Sequence, residues 1–146
     1  MTAALPNITH SDLVRGVLLE VLPESEDGRP RIVLAIPNSD YRLHLVVHGE
    51  VCGEIGRSLH GHIDVNANRI DVCEAGGQFI DPVMGRPRTI QGRVRAADAE
   101  HDVLIVQSKV PWRVHVKAPQ KASDFEFGSL VRFFVDRGAE FTPSDS

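Results

Sequence analysis

Residues 32–46 read IVLAIPNSDYRLHLV and residues 103–117 read VLIVQSKVPWRVHVK, and the two lie over each other without a gap. Each holds an apolar run, a turn, and an alternating run that opens aromatic-Arg-x-His. Tyr41 falls on Trp112, Arg42 on Arg113 and His44 on His115. In the alternating runs every second residue is apolar, the period of a strand with one face buried. Two β-hairpins of the same design are therefore expected. The match extends outward as an order of punctuation. Gly16-Val17-Leu18 answers Gly92-Arg93-Val94, Gly56 answers Gly128, and GGQFIDP (76–82) answers GAEFTP (138–143). The first hairpin turn is five residues shorter in the second copy, a surface turn absorbing insertions at little cost, and the strand Arg69–Cys73 sits only in the first copy.

Composition agrees with strands. Val and Ile number 18 and 9, against 11 Leu and 11 Ala. Their branched side chains pack well on a pleated surface. In the first copy, strands are expected at Val14–Leu22, Arg31–Ile36 and Tyr41–Val47. A hairpin then joins His60–Val65 to Arg69–Cys73 around Asn66-Ala67-Asn68, and Gln78–Ile80 adds a short strand. In the second copy they fall at Gly92–Ala97, Val103–Gln107, Trp112–Lys117 and Leu130–Val135, with Ala139–Pro143 following a turn at Arg137-Gly138. A sheet of about five strands in such a short copy buries little apolar surface. Packing the copies together, or passing a strand between them, would remedy this. Closure into barrels would also hide the edges.

The strand order, the Gly-rich bridge after the third strand, and GSLVRFFVDRGAEFTP (128–143) carry a resemblance. Over residues 14–143 the pattern resembles the OB-fold superfamily, which includes cold-shock-like and S1-like domains. It lacks the aromatic-rich run with which cold-shock domains contact RNA. The resemblance implies an all-β protein of two tandem five-stranded OB-like small β-barrels, from an internal duplication. The first repeat would span 14–84, a linker 85–91, and the second repeat 92–143.

The formal net charge of −4 excludes a wholly basic nucleic-acid coat but not a local basic stripe. Segment 85–117 holds seven Lys/Arg against three Asp/Glu. The N-terminus shows no basic start followed by an apolar run, and no stretch approaches the ~20 apolar residues that span a bilayer. A cytoplasmic chain with no membrane role is expected. Cys52 and Cys73 form no metal or redox motif and imply two reduced thiols.

In an OB-like module the face of strands two and three carries oligonucleotides. Arg42, His44, Arg113 and His115 would point outward there, offering guanidinium to phosphate and imidazole to a base. Arg86 and Arg88 of GRPR (85–88) join this set, or else clasp the two halves by pairing with carboxylates. The expected function is a non-catalytic module that binds single-stranded nucleic acid. The alternatives are a protein–protein interaction or self-assembling subunit, and a metal-binding protein using His60, His62 and Asp64. No cofactor is called for. No Walker or GxGxxG loop and no ordered nucleophile–base pair marks an enzyme.

Overall fold

A computed structural model describes residues 12–25, 28–49 and 53–144. Ten strands make one mixed sheet: β1 (Val14–Leu22), β2 (Arg31–Ala35), β3 (Arg42–Val47), β4 (Ser58–Val72), β5 (Phe79–Asp81), β6 (Met84–Gly85), β7 (Thr89–Asp98), β8 (Val103–Ser108), β9 (Val110–Val116) and β10 (Leu130–Pro143). A single 3-10 turn at Ala122–Asp124 follows β9. The protein is all-β, and its sheet closes in a ring of eight strands, β1-β2-β3-β10-β7-β8-β9-β4 and back to β1.

The β4–β10 pairing crosses this ring and divides it into two five-strand circuits. One runs β1-β2-β3-β10-β4 and closes on β1. The other runs β7-β8-β9-β4-β10 and closes on β7. Each circuit takes three strands and the near half of a long strand from one part of the sequence. Its fifth strand is the far half of the other part's long strand. Glu140 and Phe141 of β10 lie parallel to Val46 and Val47 of β3. Asp64 to Ala67 of β4 lie parallel to Arg113 to Val116 of β9.

Two expected turns are therefore absent. Asn66-Ala67-Asn68 lies inside β4, a continuous strand of 15 residues, and Arg137-Gly138 lies inside β10, a strand of 14. Local turn preference yields to pairing on both sides. Ala67 is buried and Asn66 and Asn68 are exposed, so the alternation continues to Asn68; it then shifts by one residue, with Arg69 exposed and Ile70 buried, opposite a bulge in β10. The sheet does not part into two separate barrels, because β4 and β10 each belong to both circuits. Of segment 85–91, only residues 86–88 lie outside strands.

Several details recur between the circuits. Gly16 pairs with Leu59, three residues after Gly56, and Gly92 pairs with Val131, three residues after Gly128. Two residues beyond each paired glycine the ladder bulges, after Leu18 in β1 and after Val94 in β7. Inward-facing side chains form one continuous core that includes Leu18, Leu34, Leu43 and Phe141 of the first circuit. Val94, Leu104, Trp112 and Phe133 continue it through the second. Trp112 is fully buried and donates its indole N–H to the Ser108 carbonyl at 3.0 Å. Tyr41, half-buried, packs at the edge of the core, and its hydroxyl accepts the Ile80 N–H at 3.3 Å.

Candidate functional site

The alternation in β3 sends Leu43, Leu45 and Val47 into the core and Arg42, His44 and Val46 outward. Their partners across the ladder are Ala35, Val33 and Arg31 of β2. Arg42 and His44 line a depression of about 460 Å3 with Leu19, Glu20, Val33 and Met84. Further along the same face, Val46 and Arg31 line a groove of about 600 Å3. Arg29, Arg86, Arg137 and Glu24 also line that groove, and Arg29 is paired with Glu140.

Each arginine is delivered by a different device. Arg31 opens β2, and its Nε donates to the Pro23 carbonyl at 2.7 Å. Arg29 is ion-paired with Glu140 of β10, and its backbone N–H donates to the Ser25 hydroxyl at 3.1 Å. Arg86 follows β6, whose two residues lie parallel to Arg42 and Leu43. Arg137 sits in the β10 irregularity, where four steps from Asp136 to Glu140 oppose two steps from Asn66 to Asp64. Its φ is 66°, in the left-handed region that non-glycine residues seldom occupy. Such bulges re-aim side chains beside binding sites. Arg86 and Arg137 have no carboxylate partner among the described residues.

Arg113 and His115 meet a different fate. On the outer face of β9 they lie beside Asp64 of β4, with which Arg113 is in register. His115 Nε2 is 2.8 Å from an Asp64 carboxylate oxygen, and Arg113 Nε is 3.3 Å from the same atom. Arg113 also approaches Asp12 at 3.5 Å, as does His62 Nδ1. The Asp12 side chain is only 4% exposed, and Arg113 and His62 are the neighbours that face it. The network ties the start of β1 to the β4–β9 seam. The second Arg-x-His pair is thus engaged with carboxylates, whereas the first faces an open depression.

Arg88 is exposed. Its backbone N–H donates to Asp81 and its carbonyl accepts from Val135, so its place is fixed through the main chain. Among the described residues, neither Arg86 nor Arg88 pairs with a carboxylate. The shared strands β4 and β10 join the halves instead.

His60, His62 and Asp64 alternate along β4 on its outer face. His62 and Asp64 direct polar atoms at Asp12, Arg113 and His115. Among the described residues, the one group of three His, Cys, Asp or Glu side chains whose donor atoms all lie within 4.8 Å of one another is Asp98, Glu100 and His101, in the β7–β8 turn. There His101 Nδ1 lies 2.7 Å from Asp98. That hydrogen bond holds the Asp98 carboxyl below its ordinary range and the His101 imidazole above its own. Cys73 lies 3.8 Å from the Gln91 side-chain oxygen. Cys52 lies outside the described residues.

Sequence reasoning passes over Arg29, Arg31, Arg137 and Asp12. A signal for two of these was present. The tetrapeptide Gly-Arg-Pro-Arg occurs at 28–31 as well as at 85–88. The two copies bring Arg29, Arg31 and Arg86 to one groove. Arg137 carries no such signal, because its position depends on the bulge.

No family model matches the chain, and neither curated proteins nor solved structures yield a match. The functional argument therefore rests on the site itself.

Proposed function

We propose that the chain is one OB-like small barrel duplicated, its two copies exchanging their fifth strands. Its function, on this reading, is non-catalytic binding of single-stranded nucleic acid on the outer face of β2 and β3. The recurring glycine offsets and the recurring bulge support the duplication. One observation carries the function: Arg29, Arg31, Arg86 and Arg137 line a single open groove on the face where OB-like modules take oligonucleotides.

Guanidinium groups suit phosphodiesters because their planar donors meet phosphate oxygens two at a time. His44, beside Arg42, gives an imidazole face for a base. With His44 in the adjoining depression and no Phe, Tyr, Trp or His among the described residues lining the groove, stacking contributes little. Binding rests on the backbone, with weak preference among bases.

Fluorescence anisotropy with a labelled single-stranded oligonucleotide tests this. Affinity should fall with salt at a log–log slope of about −2, since three phosphates neutralised contribute about −0.7 each. Arg42→Ala and Arg86→Ala should each weaken binding about three- to tenfold, the scale of one lost phosphate contact. Arg113→Ala should leave affinity near that of the unaltered protein, because its guanidinium is engaged with Asp12 and Asp64. No binding at low salt would end the reading.

A further inference from the structure

The four-arginine groove does not end at the first circuit. Arg137 also lines a second depression, of about 370 Å3, on the other side of the β10 bulge. That depression is walled by Asn66, Asn68, His115 and Lys117, with Asp136 as its carboxylate. Lys117 Nζ reaches the Asn68 side-chain oxygen at 3.4 Å. Asn66 and Asn68 are exposed on β4 at the place where that strand serves the second circuit. Arg137 and Lys117 thus share the depression with Asp136, and the asparagines supply amide donors and acceptors. Arg137, whose φ lies in the left-handed region, lines both hollows.

We propose that the nucleic-acid site is one continuous path across both circuits. Arg137 bridges its phosphates from the four-arginine groove into the Asn66–Asn68–Lys117 depression. This rests on the nucleic-acid reading above and extends it to the length of strand bound. A short strand fills the groove alone. A longer one crosses the bulge and gains Lys117 and the asparagine amides. Charge argues for the occupant, since Arg31, Arg86 and Arg137 line the near groove beside the Arg29–Glu140 pair and the far hollow adds an ammonium. The asparagine amides beside that ammonium suit sugar and base edges more than a uniform run of carboxylates.

The test uses the full chain and two single-stranded oligonucleotides, of ~4 and ~16 nucleotides, the limits of what one such module covers. The longer should bind more tightly. Lys117→Ala should weaken the longer by about three- to tenfold and leave the shorter unchanged. Arg86→Ala should weaken both. Arg137→Asn, which tolerates the left-handed backbone, should cost the longer oligonucleotide more than the shorter. Thermal midpoints of all three variants near that of the unaltered protein establish that folding is intact. Equal loss for both lengths in Lys117→Ala, or no loss for either, overturns the continuous path while leaving the groove reading in place. If neither oligonucleotide binds, both readings fall. Poly-glutamate serves as competitor, and displacement as efficient as by unlabelled oligonucleotide overturns the choice of nucleic acid as occupant.

Discussion

A methyl group on the Cα of Gly61 would lie 2.3 Å from the Thr142 carbonyl oxygen, and one on Gly92 would lie 2.3 Å from that of Gln107. In both places a neighbouring backbone passes where only glycine leaves room. Gly61→Ala and Gly92→Ala should each destabilise the protein by about 1–3 kcal/mol, the usual cost of overpacking, read as a lower denaturation midpoint. A second residue-scale prediction concerns the β7–β8 turn. The hydrogen bond that His101 donates to Asp98 raises the His101 pKa, so its stabilising effect is complete below the ordinary 6.5 and fades as pH rises through the raised value. The same bond lowers Asp98, so its effect is present above the ordinary 3.8 and fades as pH falls through the lowered value. The turn is therefore tightest between those two ordinary values. An NMR titration should place the His101 midpoint above 6.5, and Asp98→Asn should return it toward that value.

The long strands β4 and β10 decide how the two halves meet. Asn66-Ala67-Asn68 and Arg137-Gly138 have the composition of turns, and by local preference each would fold its strand back on itself. Opened out, each strand pairs with partners on both sides, and tertiary pairing outweighs turn propensity. The strands themselves were legible, because alternation such as Tyr41 to Val47 reports a buried face directly. Their partners were not, since no local pattern says whether a fifth strand returns to its own circuit or crosses to the other. The site divided in the same way. Outward placement of Arg42 and His44 follows from the period of two, but the carboxylates awaiting Arg113 lie 49 residues away at Asp64 and farther still at Asp12. At the β4–β9 seam, Arg113→Met should cost about 1–3 kcal/mol, because it leaves the buried Asp12 carboxylate short of a partner. Adding Asp12→Asn should recover part of that loss, and a double-mutant cycle in urea measures the coupling.

At the scale of the molecule, exchange of the fifth strands makes each circuit incomplete without the other. Neither can unfold alone without opening the other's ring. The chain carries one Tyr and one Trp. Tyr41 adjoins β3 of the first circuit and Trp112 lies in β9 of the second, so each reports on one circuit. Denaturation followed at the two should give coincident transitions, as a single cooperative unit requires. Separate midpoints would show two independently folding halves. The same joining places the four-arginine groove and the Asn66–Asn68–Lys117 hollow on one sheet, as the proposed continuous path requires. The most direct measurement of that claim is a residue-resolved NMR map of the protein titrated with a single-stranded oligonucleotide of ~16 nucleotides. The account predicts amide shifts at Arg29, Arg31, Arg42, His44, Arg86 and Arg137, continuing to Asn66, Asn68 and Lys117, with residues 103–107 of β8 unmoved. Shifts gathered elsewhere on the surface, or none at low salt, would contradict it.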